Sequence, residues 1–400
     1  MNVGVVCELN PLHNGHAAVF EYAKNLGNGG NNVIAVMSGN YTQRGEPALV
    51  DKWTRGRMAV IGGADMVLEI PSVFAQQSAQ FFAEAAVDVI CKAGIIDALV
   101  FGSESGDVGL LEQLAKRRLD GDFGNDLRKL LDAGLSYPRA VAEVYGRALD
   151  ANDILGVEYI VALRRRGSGI KVYAMKRVGG VAHKDLPEPE KGVSFTSAGA
   201  IRKAVFENRG LDFLGEVMPG ECAELLKERI REGRYVPSMA AYDGLIVGKL
   251  REIGPSGIEE FPFAGGGLAE CIYSEACKTS EMSKIIAEAT GRSYTSGRIR
   301  RILLAALTGA RRDMFGEMIS VPYVRVLAVS KKNEGLISEI FRCGTPVIAG
   351  NIPKNYKELF PGEGARLLGC EILATDYYII GFVNKNEAAH KELTTPLLKV

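Results

Sequence analysis

The chain has 400 residues, 47% of them hydrophobic and 24% charged, so it is long enough for two or three domains and can form a large core. Its 48 basic residues balance its 48 acidic residues, which excludes a protein with a uniformly positive surface but is compatible with one basic face. The seven cysteines are scattered, the sequence shows no signal-peptide pattern, and no apolar run is long enough to span a membrane. These features predict a cytoplasmic protein with reduced thiols.

The first half of the chain alternates short apolar runs with amphipathic stretches. The apolar runs are rich in Val and Ile and predict strands at Val3–Leu9, Val33–Met37, Met66–Ile70, Ala98–Phe101 and Lys171–Ala174. Helical spacing is found between them, at Ala17–Leu26, Lys52–Gly62, Ser78–Ala93 and Gly109–Arg118. This alternation predicts an α/β fold with a Rossmann-like, doubly wound parallel sheet that carries helices on both faces. Ligands bind such sheets at the carboxyl ends of the strands, near a switch in strand order.

Helical patterns dominate the second half. Two helices are expected between residues 138 and 166, and a Gly/Pro/Glu-rich loop or linker follows at residues 179–192. The later helices are predicted at Ala198–Asn208, Glu221–Glu232, Ala241–Ile253, Met282–Ala289 and Arg298–Leu307, with a loop at residues 254–267. The tail returns to α/β, with strands at Arg325–Ser330 and Pro346–Ile348 and a helix at Asn333–Phe341. We therefore expect a doubly wound domain (1–210), a mainly helical domain (211–320) and a small C-terminal α/β unit (321–400).

The stretch ELNPLHNGH, residues 8–16, places two histidines directly after the first predicted strand. If a helix follows from Ala17, then His13, Gly15 and His16 lie in the turn and at the start of that helix. Free backbone N–H groups and the positive end of the helix dipole favour bound phosphate there. Two imidazoles could stabilise the charge that develops as pyrophosphate leaves, and Gly15 leaves room for a base or ribose. A metal site is not expected, because no third histidine or cysteine stands at the spacing that would complete a zinc site. The alternative to a phosphate site is a loop with two solvated histidines.

The pattern N-P-x-H-x-G-H after a first strand resembles the HxGH signature of the nucleotidyltransferase superfamily, which includes the class I aminoacyl-tRNA synthetases. In these enzymes a nucleophile attacks the α-phosphate of ATP and releases pyrophosphate. The segment VMSGNYTQRGEPALVDKWTRGRMAVIGGADMVLEIP (36–71), followed by FGSESGD (101–107), is similar to the bacterial tRNA(Met) cytidine acetate ligases. The similarity extends well to about residue 205 and more loosely to the end, and it implies that residues 1–210 form an ATP-binding, nucleotidyltransferase-like catalytic domain.

The resemblance implies an ATP site around the first turn, with His13 and His16 as catalytic residues. The residues that it assigns to ATP are Val6, Cys7, Glu8, Leu9, Asn10, Pro11, Leu12, His13, Asn14, Gly15, His16, Gly102, Asn152 and Arg177. From the residues alone, Gly102 belongs to a small-residue loop that could equally be a tight turn, and Asn152 could simply cap its helix. Arg177 follows the fifth predicted strand, where a phosphate-facing arginine would stand.

The loop after the second predicted strand is polar and interrupted by glycines. Within and after it, Ser38, Arg44 and Lys52 are candidates to contact phosphate or substrate, Arg44 as a bidentate fork and Lys52 as a point charge. Asp51 is better explained as the N-cap of the helix that begins at Lys52. Trp53 is assigned to the core rather than to base stacking.

FTSAGAIRKA (195–204) resembles the superfamily's second signature, of the Ser-x-Thr-x-Ile-Arg kind. Ser197 and Arg202 match it and are candidate phosphate contacts, whereas Gly199 stands where threonine is common. A serine at a helix start can present its hydroxyl and the helix N-terminus to the β- and γ-phosphates, and an ordinary N-cap is the alternative. For His183 a solvated loop residue is an equal alternative to a role in the site, because relatives usually have Tyr-His-Asp where this chain has Ala-His-Lys.

Basic residues cluster at four places, Lys116–Arg118, Arg164–Arg166, Arg298–Arg301 and Arg311–Arg312. Each cluster is most simply a solvated helix face. If several converge near the mouth of the active site, they would follow an RNA backbone, and binding would weaken steeply with salt. The candidate tRNA-binding residues are Arg298, Arg300 and Arg301.

These features together predict an AMP-forming ligase that activates acetate with ATP as acetyl-adenylate and transfers the acetyl group to N4 of the wobble cytidine of elongator tRNA(Met). Adenylate formation follows from the residues and the resemblance, whereas acetate and the tRNA are implied by the resemblance alone. Mg²⁺ would accompany the nucleotide and screen its triphosphate. One alternative is an adenylyl- or cytidylyltransferase acting on a small phosphorylated metabolite. Another is a degenerate member that binds nucleotide or RNA without catalysis, although the intact HxGH pattern disfavours it.

Overall fold

The structure is a computed structural model and describes residues 1–135, 137–177, 195–207, 209–291 and 294–400. The linker predicted at residues 179–192 and His183 lie outside the described residues. The strands are β1 (Asn2–Cys7), β2 (Asn32–Ser38), β3 (Tyr41–Thr42), β4 (Glu46–Pro47), β5 (Met66–Ile70), β6 (Ala98–Ser103), β7 (Lys171–Lys176), β8 (Val324–Val329), β9 (Val347–Ala349) and β10 (Leu398–Lys399).

The helices of the first half are α1 (Asn14–Asn25), α2 (Lys52–Ile61), α3 (Ser72–Ala75), α4 (Ala79–Ala93), α5 (Val108–Leu119), α6 (Gly121–Asp132), α7 (Tyr137–Tyr145) and α8 (Ala151–Arg165). Those of the second half are α9 (Ala198–Phe206), α10 (Leu214–Val217), α11 (Gly220–Arg231), α12 (Asp243–Glu259), α13 (Leu268–Lys278), α14 (Met282–Ala289), α15 (Ser296–Thr308), α16 (Gly335–Arg342), α17 (Tyr356–Leu359), α18 (Glu363–Ile380) and α19 (Lys391–Thr394). The five strands predicted in the first half are all found, with ends that differ by one or two residues.

Within the described residues, eight strands form one sheet in the order β10-β8-β5-β2-β1-β6-β7, with β9 also paired to β8. Neighbouring strands run parallel except β5 and β8, which are antiparallel. The chain winds outward from β1 through β2 to β5, and then returns to β6 and β7 on the other side of β1. This confirms the predicted doubly wound sheet, and the reversal places the loops after β1 and β6 side by side at its carboxyl edge.

The central strands are buried on both faces, because helices cover each side of the sheet. Val36 and Leu68 belong to a core shared with α4, α5, α8 and helices of the second half, whereas Ala35 and Val67 face a core formed with α1, α2, α9 and α11. Burial on both faces explains why these strands are continuous apolar runs rather than alternating ones. None of the helices in the described residues is long and apolar enough to cross a bilayer.

The predicted small α/β unit at residues 321–400 contributes strands to the main sheet, and its bounds as a domain stay a prediction. Its strand β8 pairs with β5 and extends the first-half sheet, since the edge of β5 would otherwise leave a row of unpaired backbone groups. The sequence patterns also missed helices α6, α13 and α18, and α12 extends into the predicted loop as far as Glu259, with a kink at Gly254 (φ 66°). The boundary at residue 210 stays a prediction.

A buried cluster of five charged side chains attaches the C-terminal segment to the sheet. The Lys52 amine lies 2.5 Å from the Glu392 carboxylate and 3.6 Å from Glu371, and it also contacts Glu69. The Arg325 guanidinium lies 3.3 Å from Glu69 and pairs with Glu392. All five side chains are almost completely buried. The prediction that Lys52 contacts phosphate is therefore wrong, because its amine is bound to carboxylates inside the protein.

Glu371 makes the stability of this cluster dependent on pH. Burial, together with the nearby Glu69 carboxylate, raises the pKa of Glu371 from an ordinary value of 4.5 to about 7. The folded chain therefore holds this proton more tightly than the unfolded chain between these two values, and the wild type loses stability as pH rises through that window. Glu371→Gln removes the titration, so the variant should gain up to about 3 kcal/mol relative to wild type between about pH 5 and pH 8.

Urea unfolding of both proteins across this pH range measures the difference directly. Glu339→Gln, the same carboxylate-to-amide change at an exposed position of α16 outside the cluster, is the control. A difference between Glu371→Gln and wild type that does not change with pH would contradict the assignment.

Candidate active site

The two histidines of the first motif form the start of α1. His13 is the N-cap, and its Nδ1 accepts a hydrogen bond from the Gly15 N–H at 3.0 Å. The His16 Nδ1 in turn accepts one from the His13 N–H at 3.3 Å, and the two rings lie 3.9 Å apart between centroids. Imidazoles thus occupy both side-chain positions of a capping box, a motif usually built from Ser or Thr with Glu or Gln. The predicted strand–turn–helix setting is confirmed, although α1 begins earlier, at Asn14.

These hydrogen bonds determine what the imidazoles offer to a ligand. Because each Nδ1 is an acceptor, the hydrogen-bond geometry assigns the proton of the neutral ring to Nε2. Burial lowers the pKa of His13 to about 4, and the positive charge of Arg177 adds to the effect. Burial, then His13 and Arg177, lower the pKa of His16 well below its ordinary value. Both side chains are therefore neutral near pH 7 and can donate an Nε2–H to a phosphate oxygen.

Gly15 gives the His13 ring the space that it occupies. A Cβ at this position would lie 2.8 Å from the His13 Cε1 and 3.0 Å from its Nδ1, closer than side chains tolerate. The sequence suggested that Gly15 leaves room for a base or ribose. In the structure the adjoining space is filled by the neighbouring imidazole, so Gly15 is required for the cap itself.

The buried side chain of Arg55 joins the carboxyl ends of β1 and β2. Its guanidinium donates to the carbonyl oxygens of Glu8 at 2.6 Å, Ser38 at 3.2 Å and Val50 at 3.1 Å, and also to that of Gly39. The Ser38 hydroxyl is itself buried and has no partner within the described part of the chain. Sequence reasoning missed Arg55, because an arginine within a polar helix start gives no sign that it is completely buried.

The connection from β1 to α1 is tightly packed. The Glu8 carboxylate accepts a hydrogen bond from the Gln43 N–H at 2.6 Å, and the Asn10 side chain accepts one from the Leu49 N–H at 2.7 Å. Leu9 has a positive φ of 51°, a conformation that needs support from its surroundings. Several residues that the resemblance assigns to ATP have buried side chains, namely Cys7, Leu9, Pro11 and Leu12. Leu9 and Leu12 are completely buried, backbone included, and the contacts of these residues with a nucleotide stay predictions.

Helix α9, which carries the second signature, contacts the turn that carries the first signature. Arg202 donates to the Asn10 carbonyl at 2.7 Å and lies 3.4 Å from the Glu46 carboxylate. Glu46 also pairs with Arg300 at 3.1 Å, so one carboxylate connects α9, the β3–β4 hairpin and α15. Ser197 is the N-cap of α9, as one of the two interpretations expected. Arg202 and Arg300 thus position loops of the site through their protein contacts.

The loop after β6 is bound to the N-terminus of α8. The Asn152 side chain donates to the Glu104 carboxylate at 2.5 Å, and this carboxylate also accepts from the backbone N–H groups of Asn152 and Asp153, each at 3.2 Å. The N-cap position belongs to Asp150. The interpretation of Asn152 as the helix cap is therefore wrong, and its contact with the nucleotide stays a prediction.

Arg177 is brought to the histidines by the pairing of β6 with β7. A Cβ at Gly102 would lie 3.4 Å from the Arg177 Cγ, so this glycine lets the arginine side chain lie against the end of β6. The Arg177 side chain is exposed and makes no hydrogen bond or ion pair with other described residues. Its charge lowers the pKa of both His13 and His16, which places the guanidinium near the turn. Arg44, also exposed, is a second cation beside this site.

The basic N-terminal turn of α15 lies against the hairpin loop. A Cβ at Gly45 would be 3.0 Å from the Arg300 Cβ and 3.1 Å from the Arg301 Cγ, so only a glycine allows this approach. Arg298 donates two hydrogen bonds to the Phe263 carbonyl, at 3.0 and 2.6 Å. The structure thus brings this predicted basic cluster to the carboxyl edge of the sheet, next to the candidate active site.

The protonation of the two histidines can be measured in the ligand-free protein. We expect neither the His13 nor the His16 Cε1–H resonance to titrate between about pH 5.5 and pH 8, because burial disfavours both imidazolium ions. An unperturbed histidine titrates at about pH 6.5. Proton–carbon correlation spectra of ¹³C-histidine-labelled protein follow both signals, which His13→Asn and His16→Asn assign. A midpoint between about pH 6 and pH 7 for either residue would overturn the neutral assignment.

Comparisons with known proteins agree with this architecture. The family model HIGH Nucleotidyl Transferase matches residues 1–393. The tRNA(Met) cytidine acetate ligase of Acetivibrio thermocellus is 33% identical over 401 residues and covers 96% of this chain and 95% of its own. That of Caldanaerobacter subterraneus is 33% identical over 411 residues, with 100% and 99% covered.

Solved structures of Thermotoga maritima TmcAL share the whole fold. The apo form superposes with a TM-score of 0.88 at 27% identity and covers 100% of this chain and 99% of its own. The form bound with alpha-thio ATP has a TM-score of 0.86 at 28% identity and covers 100% of both chains. From its motifs, its fold and these full-length matches, the chain belongs to the tRNA(Met) cytidine acetate ligase family of HIGH nucleotidyl transferases.

Proposed function

We propose that this chain is an ATP-dependent ligase that activates acetate as acetyl-adenylate and transfers the acetyl group to N4 of the wobble cytidine of elongator tRNA(Met). The observation that carries the proposal is the turn after β1, where neutral His13 and His16, the N-terminus of α1 and the exposed Arg177 converge. Family membership supports acetate and tRNA as substrates. The ATP analogue bound by the Thermotoga maritima relative supports ATP as the nucleotide.

The first step needs no general base, because acetate is already a carboxylate near pH 7. Its oxygen attacks the α-phosphorus of ATP, the bond from that phosphorus to the bridging oxygen breaks, and pyrophosphate leaves. Negative charge grows on the α-phosphate and on the leaving group. The Nε2–H groups of His13 and His16, the helix N-terminus and Arg177 stabilise this charge as preorganised donors and dipoles. Neutral imidazoles provide this stabilisation without transferring a proton.

In the second step the cytidine N4 attacks the acetyl carbonyl of acetyl-adenylate. The new C–N bond replaces the C–O bond to AMP, the N4 amine loses one proton to solvent, and N4-acetylcytidine and AMP are the products. Reaching N4 requires the cytosine to leave its base stack, which costs least in a single-stranded loop. The basic turn of α15, with Arg298 and Arg301, stands at the edge of the site where that loop would approach.

We also propose that Mg²⁺ enters with the nucleotide. Glu8 is the carboxylate nearest the turn in sequence, and it already accepts the Gln43 N–H. Among the described residues no three His, Cys, Asp or Glu side chains form a metal cluster. A Mg²⁺ ion that keeps several waters and binds triphosphate oxygens would screen the phosphate charge. We assign the reaction to the cytoplasm, where ATP and tRNA occur together.

Two linked assays test the function. Wild-type protein should catalyse ATP–pyrophosphate exchange only when acetate is present, and label should then move from acetate to tRNA. His16→Asn keeps an acceptor for the His13 N–H and removes the Nε2–H donor, so exchange should fall by on the order of 10² to 10³. Arg177→Gln should lower it as well, since it removes the positive charge beside the two histidines.

Arg342→Gln is the matched control, because Arg342 is exposed at the end of α16 and unpaired among the described residues. Its exchange rate should equal that of wild type. Turnover of a phosphorylated metabolite such as nicotinamide mononucleotide, with no response to acetate, would contradict the proposal. It would indicate a nucleotidyltransferase that acts on a metabolite.

A further inference from the structure

A solvent-open cleft lies between α4, the loop before α13 and the N-terminal turn of α15. Its volume is 340 Å³, within the range of about 300–1,000 Å³ that small-molecule sites occupy. Three phenylalanines (Phe81, Phe263 and Phe315) and two arginines (Arg298 and Arg312) line it, together with Pro262 and Gly265, and none of the described residues of its lining is a carboxylate. The cleft therefore combines aromatic surface with positive charge.

The phenylalanines leave one ring open to solvent. Phe81 and Phe263 lie 5.1 Å apart between ring centroids, and Phe315 packs edge-on against Phe81 at 5.4 Å and against Phe263 at 5.7 Å. Phe263 is nevertheless 39% exposed. Its ring is thus supported by aromatic neighbours and exposed on the remaining side, the arrangement on which a planar ligand stacks.

The backbone at Phe263 is held in a conformation that a phenylalanine rarely adopts. Its φ is 63°, in the left-handed region that favours glycine. The Arg298 guanidinium donates two hydrogen bonds to the Phe263 carbonyl, at 3.0 and 2.6 Å, and Arg312 donates to the Glu259 carbonyl at the end of α12. Such strain persists where the surroundings enforce it, and it is concentrated at functional sites. The two hydrogen bonds from Arg298 therefore help to fix the backbone that carries the exposed ring.

A chain of contacts connects the cleft with the nucleotide turn. Phe81 lies near the start of α4, which follows the carboxyl end of β5, so the cleft opens at the same edge of the sheet as the turn. On α15, Arg300 pairs with Glu46, and Glu46 pairs with Arg202, which contacts the turn after β1. Arg301 lies between the two places and makes no hydrogen bond or ion pair with other described residues.

We propose that this cleft binds an unstacked nucleobase of the single-stranded anticodon loop, with the Phe263 ring as its stacking platform and Arg298, Arg301 and Arg312 facing the RNA backbone. The proposal rests on the proposed function, since it assigns a subsite for the same tRNA. Charge complementarity selects this occupant, because a lining of arginines without carboxylates matches a polyanion, which an apolar peptide is not. Stacking on an aromatic ring tolerates any base, so the cleft would keep the loop unstacked rather than read its sequence.

Binding of an anticodon stem-loop RNA, measured by fluorescence anisotropy, tests the platform. Phe263→Ala should raise the Kd roughly 5- to 100-fold, the range that the loss of one base–aromatic stack produces. Phe263→Leu keeps apolar volume without a flat face and should bind nearly as weakly, whereas Phe263→Trp should bind as tightly as wild type. Phe341→Ala, at a 54% exposed phenylalanine of α16, is the control and should leave the Kd unchanged.

The outcomes separate this proposal from the proposed function. If wild type acetylates tRNA but Phe263→Leu binds the stem-loop as wild type does, the platform is wrong and the function stands. If wild type shows no acetate-dependent exchange, the function fails, while the Kd series still decides whether the cleft binds RNA. A wild-type protein that is a dimer, together with a Phe263→Ala protein that is a monomer with unchanged RNA affinity, would overturn the proposal in favour of a second copy of this chain. Should the alanine variant misfold, the comparison of Leu with Trp still tests stacking.

Discussion

The geometry of the site depends on one buried guanidinium. Arg55 has no carboxylate within ion-pair distance among the described residues, and its charge is balanced by the carbonyl oxygens at the ends of two adjacent strands. A guanidinium has five donors in a fixed plane, so satisfying them determines where those carbonyls lie relative to each other. The turn after β1 and the hairpin after β2 therefore leave the sheet from fixed points. Glu8, Asn10 and Arg202 then add hydrogen bonds between these two loops.

Buried charge and neutral donors have different tasks in this fold. Lys52 and Arg325 are bound to carboxylates inside the protein and attach the C-terminal segment to β5. At the candidate active site His13 is buried and His16 half-buried, both imidazoles are neutral, and the cation beside them, Arg177, is exposed. A triphosphate would therefore meet polarised N–H groups and an exposed guanidinium, and no carboxylate of the ion cluster would oppose it.

Many features of the fold could be predicted from local sequence, whereas others depend on contacts between residues far apart in the chain. Strands buried on both faces appear as continuous Val and Ile runs, and the N-cap role of Asp51 follows from neighbouring residues alone. By contrast, the partners of Lys52 include Glu371 and Glu392, more than 300 positions away, so nothing near Lys52 signals that it is buried. The pairing of β8 with β5 is equally remote. The hydrogen bonds of Asn152 to Glu104 depend on how β6 meets α8, which no periodicity reveals.

If the guanidinium of Arg55 places the turn after β1 where it binds ATP, a change at Arg55 should weaken nucleotide binding. Arg55→Lys keeps the charge but cannot donate to the ends of both strands at once. Calorimetric titration with ATP measures the effect, on variant protein whose cooperative unfolding shows that it is folded. We expect the Kd for ATP to rise on the order of tenfold or more, because a small displacement of positioning groups is costly. A folded Arg55→Lys protein that binds ATP with wild-type affinity would contradict this expectation.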